Sequence, residues 1–406
     1  MPSTSYAVSR MLFAAKLAAV VSVLSLLSLQ VTPAQAQADA ADTIVVALMP
    51  GTSPSTVAAE LNTTVIDVAD GGTICTLAVP SDTTAAAFTT TAGTSPGVLS
   101  AEADAVIGTK TTYSAQIHVA FDAGGQPGAY VDPSVTSQVD GYPTENSGVG
   151  MGTVVAVIDT GVDLEHPALQ GHLIQGANMI SSSAAAEDLP DGLLNDGVGH
   201  GTMVAGIIAE YAPGAQIMPI RVLNGDGMGT IMTVVKGIEY AIHHGANVIN
   251  LSLGTNTYSD ALEDAIEDAY KAGVIVVAAA GNNGSQVAHY PAALPNVISV
   301  AAVDQYNVKP AWSNYGPSVC VCAPGVGIRS TYWNGGYANW SGTSFSAPFV
   351  SAEAADVLSS SSEMSVDDVT HRICDTANGI GDQNPLFEGL LGEGIIDIQN
   401  ASGGDN

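Results

Sequence analysis

The sequence has 406 residues, of which 46% are hydrophobic and 44 are glycine, so it can bury a large core and form many tight turns. Its 39 acidic residues against 9 Lys and Arg give a formal net charge of -30, which argues against nucleic acids and anionic membranes as partners because like charges repel. The same charge suits cationic substrates, a saline medium or simple solubility, and composition does not distinguish these three.

Residues 1–38 are predicted to be a signal peptide. Arg10 and Lys16 precede the apolar stretch Leu17–Leu29, which is too short to span a bilayer comfortably, and small-x-small cleavage sites follow within Ala34–Ala38. We therefore expect a secreted, extracellular protein with no stable membrane association. The alternative compartment is the periplasm, and the alternative interpretation of the stretch is an uncleaved anchor.

Residues 39–110 form a leader that differs from the rest of the chain in being rich in Ala and Thr. Three strand-like runs and one helical run predict a small α+β unit, at Thr43–Leu48, Ser55–Leu61, Thr73–Val79 and Val98–Ala101. The Gly- and Thr-containing segment Gly108–Ser114 follows, and we interpret it as a linker or a cleavage zone.

From about residue 150 onward, apolar strand patterns alternate with helical patterns. The predicted strands are Thr153–Asp159, Gln216–Leu223, Asn247–Leu253, Val274–Ala280 and Val297–Val303. The predicted helices are Gly201–Ala209, Ile231–His243, Asp260–Ala272 and Phe345–Leu358. Strands that are apolar on both faces and alternate with helices indicate an α/β fold, with a mostly parallel sheet covered on both sides.

The four cysteines, Cys75, Cys320, Cys322 and Cys374, leave the disulfide pairing open. If Cys75 is lost with the leader, three remain, which fits one disulfide plus a free thiol or no disulfide at all. Cys320 and Cys322 are two residues apart on an expected strand, so we expect both side chains on one face as small apolar packing. No cysteine or histidine spacing indicates zinc.

Three polar residues stand where functional groups collect in an α/β sheet, beyond strand ends and at helix starts. Asp159 ends the strand of TVVAVIDTGVD, His200 follows a Gly-rich loop in NDGVGHGTMVAG, and Ser344 begins the helix of GTSFSAPFVSA. A serine is a weak nucleophile at neutral pH; it needs a base to take its proton and a carboxylate to orient that base. Each residue alone has a structural alternative: Asp159 could be a turn residue, His200 a helix-start residue and Ser344 a helix cap.

The order Asp, His, Ser and the segments VIDTGVDLEHPAL, GHGTMVAG and GTSFSAPFVSA resemble the subtilisin-like serine proteases, the subtilase family. The resemblance runs from about Val149 to Ala401, and Met203 stands where many members carry a second histidine. It implies a doubly wound, mostly parallel sheet and a serine-type endopeptidase. Asp159, His200 and Ser344 would act as catalytic triad through an acyl-enzyme intermediate.

The resemblance also implies residues that contact the substrate. In GVIVVAAAGNNG, the side-chain amide of Asn282 would join the backbone N–H of Ser344 in stabilising the oxyanion, although alone it could be a turn residue. The segment NVINLSLGT would hold an extended substrate as an added strand. The residues implied for substrate binding are Ser252, Leu253 and Gly254 in that segment, and Asn283 and His289 at the main specificity pocket. His289 could otherwise be a surface-loop histidine.

The leader resembles the inhibitory, folding-assisting propeptide of the same family in its segments TIVVALMPGTS and GVLSAEADAVI. This implies a self-processing precursor with a propeptide at residues 39–110 and a catalytic domain at residues 111–406, and the propeptide as its own intramolecular inhibitor. The alternative is an unrelated N-terminal interaction domain. We expect a monomer that acts on protein or peptide substrates.

No cofactor is expected to be required for the chemistry. The helix of GTMVAGIIAEYAPGAQ lacks the insertion in which many subtilases bind calcium, so that site is expected to be missing. The acid-rich run Glu187–Asp196 could bind calcium but has no EF-hand pattern, and we interpret it as a solvated loop. A structural calcium site is therefore not located from the sequence.

Two other functions remain as alternatives. A catalytically silent subtilase-fold protein used for binding or adhesion would be expected to lack a triad residue, and none is missing here. An esterase would cleave esters without cleaving peptides, which an assay distinguishes.

Overall fold

The computed structural model describes residues 42–109, 133–139, 148–361 and 363–403, so the predicted signal peptide and most of the predicted linker lie outside it. The described strands are β1 Thr43–Leu48, β2 Val65–Ala69, β3 Ile74–Ala78, β4 Val98–Ala103, β5 Val106–Gly108, β6 Val154–Asp159, β7 Ala177–Asn178, β8 Gln216–Arg221, β9 Met228–Thr230, β10 Val248–Leu251, β11 Ile275–Ala279, β12 Val297–Val303, β13 Val321–Pro324, β14 Ile328–Tyr332 and β15 Gly336–Trp340. The described α-helices are α1 Pro54–Glu60, α2 Ala85–Ala92, α3 Pro133–Gln138, α4 His200–Tyr211, α5 Ile231–His243, α6 Asp260–Lys271, α7 Thr343–Ser360, α8 Val366–Thr376 and α9 Ile398–Ala401.

The leader folds as a four-stranded antiparallel sheet in the order β2-β3-β1-β4. Its own core is built from alternate residues of β1, with Ile44, Val46 and Leu48 packed against Phe88 of α2. The sequence analysis identified β1, β3, β4 and α1 but not β2 or α2. Both missed elements have little amphipathic pattern. Strand β2, for example, exposes its apolar residues Ile66 and Val68 to solvent.

The large sheet has seven strands in the order β13-β12-β11-β10-β6-β8-β7, and all of its pairs are parallel. Helices α4 and α7 contribute to the core cluster on one side, whereas α5 and α6 contribute to the cluster on the other. The predicted α/β class, with helices on both faces of a parallel sheet, is confirmed. The strand order reverses at β6, so functional groups are expected beyond the carboxyl ends of β6 and its neighbour β10.

The leader also contributes to the N-termini of two helices in the large domain. Glu102 accepts a hydrogen bond from the backbone N–H of Asp260 at 2.9 Å at the start of α6, and Asp104 accepts one from Met232 at 3.2 Å at the start of α5. Carboxylates satisfy first-turn N–H groups and interact favourably with the positive end of the helix. The contacts explain why two acidic residues stand at the end of β4.

The expected shared packing of Cys320 and Cys322 is wrong for Cys320. Strand β13 begins only at Val321, and Cys320 forms a disulfide with Cys374 of α8. Cys322 is a buried free thiol, and burial raises its pKa to about 12. Among the three cysteines outside the leader, this is the arrangement of one disulfide plus one free thiol that the cysteine count left open, and Cys75 of the leader is a second buried free thiol.

Candidate active site

Asp159 and His200 form a buried pair at the carboxyl end of the large sheet. The two oxygens of the Asp159 carboxylate lie 2.8 and 3.0 Å from Nδ1 of His200, and the two side chains are 0% and 4% exposed. Asp159 ends β6 at the position where the strand order reverses, and His200 is the first residue of α4. A hydrogen bond to Nδ1 fixes the tautomer, which leaves Nε2 as the proton acceptor.

Two glycines let the helix start approach the strand end. A Cβ on Gly201 would lie 2.1 Å from the carbonyl oxygen of Gly161 and 3.0 Å from Cβ of Asp159. Gly199 has φ of 88°, a left-handed conformation that glycine adopts readily. The Gly-His-Gly sequence is therefore a geometric requirement for bringing the imidazole against the carboxylate.

Ser344 lies in the first turn of α7, one residue after its start at Thr343. Its hydroxyl donates to the carbonyl oxygen of Ser252 at 3.2 Å rather than to the ring of His200. Pro348 has no N–H to bond the Ser344 carbonyl four residues back, and that carbonyl instead accepts from the Ser252 hydroxyl at 2.7 Å. The next residue, Phe345, has its ring centroid 5.2 Å from that of His200, so the starts of α4 and α7 lie close together.

The side chain of Asn282 is oriented by the start of α7. Its Oδ1 atom accepts hydrogen bonds from the backbone N–H and the hydroxyl of Thr343, at 2.8 and 2.9 Å. With the oxygen occupied in this way, the Nδ2 donor faces away from Thr343, beside Gly342. The N–H of Ser344 is one of the first-turn amides without a partner within the helix.

A groove beside this site is occupied by the end of the leader. Strand β5 pairs antiparallel with β9 on one side, and on the other side Gly108 exchanges backbone hydrogen bonds of 2.9 and 3.3 Å with Gly254. The N–H of Thr109 donates to the carbonyl of Gly227 at 3.0 Å. The interpretation of Gly108–Ser114 as a linker is wrong for Gly108, because backbone of the groove pairs with it on both sides, whereas the interpretation as a cleavage zone stays a prediction.

Some of the predicted substrate-binding residues lie along the groove, and others lie in the interior of the protein. Ser252 and Gly254 lie along the groove, while Leu253 is 2% exposed and packs in the core. His289 is buried rather than a surface histidine, with Nδ1 lying 3.2 Å from Oδ1 of Asn256, and burial lowers its pKa to about 4. A Cβ on Gly254 would lie 2.2 Å from Nε2 of His289, so the imidazole packs directly behind the groove wall.

Asn283 lies one residue beyond Asn282 and is held by its backbone. Its N–H donates to Oδ1 of Asn314 at 3.0 Å, and its own side-chain Oδ1 is buried without a hydrogen-bond partner in the described part of the chain. The residue therefore lies at the edge of the site with one acceptor uncommitted.

The expectation of a solvated acidic loop before His200 is wrong for Asp188, which is 0% exposed. Its Oδ2 atom accepts from the N–H of Gly199 and the hydroxyl of Thr202, at 3.0 and 2.7 Å. Burial raises the pKa of Asp188 to about 7, with a smaller contribution from the charge of Asp159. The sequence analysis missed this residue, since nothing in the acidic run marks which member is buried.

Among residues 42–109, 133–139, 148–361 and 363–403, no group of three or more His, Cys, Asp or Glu side chains could hold a metal ion. Within the same ranges, no helix combines the length and the apolar character that a membrane crossing needs.

The chain is similar to known proteases over its large domain. A model of the subtilase family matches residues 150–394. The thermophilic serine proteinase of Bacillus sp. (strain AK1) is 41% identical over 247 residues, which cover 58% of this chain and 59% of that protein. Subtilisin DY of Bacillus licheniformis is 37% identical over 278 residues, which cover 65% of this chain and 94% of that protein.

A solved structure extends the similarity to most of the chain. Fervidolysin from Fervidobacterium pennivorans, described as a keratinolytic enzyme related to subtilisin, superposes with a TM-score of 0.70 at 26% identity, covering 90% of this chain and 61% of that one. The chain thus spans less than two thirds of the thermophilic proteinase and of fervidolysin. The large parallel sheet with helices on both faces is the fold that these relatives share. The chain belongs to the subtilase family, because the family model covers more than half of it.

Proposed function

We propose that this chain is the precursor of a secreted serine endopeptidase with the catalytic triad Asp159, His200 and Ser344. The Ser344 hydroxyl attacks the peptide carbonyl while Nε2 of His200 takes its proton, and Asp159 holds the tautomer and stabilises the imidazolium. His200 then gives the proton to the leaving amine, and water releases the acyl-enzyme. For this step the Ser344 hydroxyl leaves the Ser252 carbonyl and turns about χ1 toward His200.

Two donors would stabilise the negative charge that develops on the carbonyl oxygen. The amide of Asn282 supports this role because Thr343 occupies its oxygen, so the NH₂ group is the end that remains for the oxyanion. The backbone N–H of Ser344 is the second donor. Donors that are fixed before the reaction cost no reorganisation during it, which is the basis of such catalysis.

The observation that carries the proposal is the leader strand in the groove. An extended segment pairs with backbone on both sides, at Gly254 and at β9, beside the Ser344 hydroxyl. This is how a sheet edge binds an extended peptide by main-chain hydrogen bonds, with side chains free to set specificity. We infer that protein and peptide substrates bind in the same way, and that residues 39–110 act as an intramolecular inhibitor until they are removed.

The register of the leader strand suggests where the chain cuts itself. Gly108 pairs with Gly254. In an antiparallel substrate, the residue two positions after the one paired with Gly254 is opposite Ser252, whose carbonyl accepts the Ser344 hydroxyl. We infer cleavage after residue 110, which gives a catalytic domain of residues 111–406. Export fits the Cys320–Cys374 disulfide, since such bonds persist in oxidising compartments. Residues 1–38 would direct that export, and the mature enzyme is proposed to be monomeric.

The proposal is tested by peptide hydrolysis in the Ser344→Ala variant beside Ser346→Ala. Both serines lie buried in the first turns of α7, but the Ser346 hydroxyl donates to the carbonyls of Ala323 and Pro324 in β13, whereas the Ser344 hydroxyl donates to Ser252. We expect Ser344→Ala to abolish casein and peptide hydrolysis and Ser346→Ala to retain it. Substantial peptide hydrolysis by Ser344→Ala would refute the assignment of the nucleophile, and ester hydrolysis without peptide hydrolysis by the wild type would indicate an esterase.

A further inference from the structure

The Asp188 carboxyl group spans the start of the helix that carries His200. A single oxygen, Oδ2, accepts from the N–H of Gly199 at 3.0 Å and from the hydroxyl and N–H of Thr202 at 2.7 and 3.4 Å. Gly199 and Thr202 lie on either side of His200 in sequence. Asp188 therefore constrains both ends of the turn from which the imidazole projects.

Helix α4 lacks a cap of its own, and Asp188 replaces it. The residue at the N-cap position, Gly199, has no side chain to accept the first-turn N–H groups, which Ser, Thr, Asn or Asp normally do. Asp188 supplies that oxygen from a position 11 residues upstream. A carboxylate at this end of a helix also interacts favourably with the helix dipole.

The surroundings of Asp188 leave little room for the turn to move. The Thr202 hydroxyl that donates to Asp188 also accepts from the N–H of Asp163 at 2.9 Å. On the opposite side, a Cβ on Gly199 would lie 2.1 Å from the ring of Tyr332. The second oxygen of Asp188, Oδ1, is buried without a hydrogen-bond partner in the described residues. The hydrogen bonds of the Asp188 carboxyl group to the helix start therefore all go to Oδ2.

We propose that Asp188 is a positioning residue for the peptidase reaction, which fixes His200 at the start of α4 and, when ionised, stabilises the imidazolium by its charge. The inference rests on the proposed role of His200 as the base. The titratable groups that interact with the charge of Asp188 are Asp159 from β6 and Tyr332 from β14, whose pKa is raised by burial and further by that charge. His200 directly follows Gly199, whose N–H donates to Asp188.

Two substitutions separate the geometric contribution from the electrostatic one. Asp188→Asn keeps an oxygen acceptor for Gly199 and Thr202 but carries no charge, whereas Asp188→Ala removes both. For Asp188→Asn we expect the acid limb of the kcat/KM profile to move to lower pH by about 0.5 unit, because a negative charge near the imidazolium is lost. For Asp188→Ala we expect kcat to fall about 30-fold with KM nearly unchanged, since small displacements of a catalytic group cost rate rather than affinity.

Rates are measured per active site, titrated with a covalent serine reagent, between about pH 5 and pH 9. Glu353→Gln is the matched control, because Glu353 is also a fully buried acid on a helix of the same domain but has no hydrogen bond to the His200 turn, and its profile should superpose on the wild type. If Asp188→Ala does not fold, Thr202→Val takes its place, since it removes only the bridging hydroxyl and should lower kcat without shifting the acid limb.

Unchanged kcat in Asp188→Ala or Thr202→Val, together with an Asp188→Asn profile that superposes on the wild type, would overturn the inference. A shift of the same size in Glu353→Gln would also overturn it, because the effect would then not depend on contact with the helix start. His200→Ala tests the underlying proposal separately. If His200→Ala keeps full activity, the proposed function fails whatever Asp188 does; if it is inactive, the Asp188 variants decide the inference alone.

Discussion

Replacing Glu353 by glutamine is expected to stabilise the protein relative to its parent by an amount that grows with pH. Glu353 lies inside α7, is 0% exposed, and has no hydrogen-bond partner on either carboxyl oxygen among the described residues. Burial raises its pKa well above 4.5, and the charges of Asp397 and Asp356 raise it further. The carboxyl group is therefore protonated in the folded protein at pH values where it is ionised in the unfolded chain.

The sign and size of the effect follow from proton linkage. Because the folded state binds the extra proton, its stability falls as pH rises above the unfolded pKa, and the loss ends only at the raised folded pKa. Within that window the slope is about 1.4 kcal/mol per pH unit. Glu353→Gln keeps the shape of the side chain and removes the titration, so the stability gap between variant and parent should widen by about 1.4 kcal/mol for each pH unit within that window.

The assay is urea unfolding followed by tryptophan fluorescence, in a Ser344→Ala background that prevents self-digestion. Glu363→Gln serves as the control, because Glu363 is exposed and its substitution should give a gap that does not change with pH. A Glu353→Gln gap that is equally independent of pH would refute the reasoning, since Glu353 would then titrate alike in the folded and unfolded states.

Three further variants test the site and the fold. His289 packs behind the groove wall, so His289→Ala should enlarge the space there. We expect kcat/KM for peptides with a large residue before the scissile bond to rise about tenfold relative to kcat/KM for peptides with alanine at that position. An unchanged ratio of the two kcat/KM values would show that His289 does not line the specificity pocket. Gly201→Ala would place a methyl group 2.1 Å from the Gly161 carbonyl oxygen, and we expect kcat to fall about 100-fold; wild-type kcat in titrated enzyme would contradict this. Replacing Cys320 and Cys374 by serine opens a crosslink between residues 54 apart and should lower the free energy of unfolding by about 4 kcal/mol in urea melts; an unchanged midpoint would count against it.

Most of the large domain could be predicted because its strands are buried on both faces. Runs such as Val297–Val303 are continuous and apolar, and the helix Ile231–His243 carries a clear 3.6-residue period, so both were predicted with the observed bounds. The strand predicted to end at Leu253 ends at Leu251, because the chain leaves the sheet there to form the groove wall. Helix α2 was missed since its Ala- and Thr-rich sequence buries only Phe88 and Ala92 and carries little periodicity.

The residues of the site also differ in whether the sequence alone could identify them. Asp159, His200 and Ser344 stand in long sequence segments, and their side chains are the acid, the base and the nucleophile of one reaction. The sequence alone therefore identified them as candidates for one site. Asp188 and Glu353 could not be identified, because the burial of one acid among many depends on tertiary packing rather than on local pattern. The contacts on which their expected effects depend exist only when the surrounding helices are in place.

The most direct test of the central claim is the intact mass of the secreted protein, wild type beside Ser344→Ala, each expressed as the full chain. We predict that the wild type has lost everything up to residue 110 while the variant still carries the leader from the signal-peptide site onward. That result would identify Ser344 as the nucleophile of a precursor that matures itself. If both proteins keep the leader and the wild type cleaves no peptide, or if both lose it at the same bond, the self-processing account is contradicted.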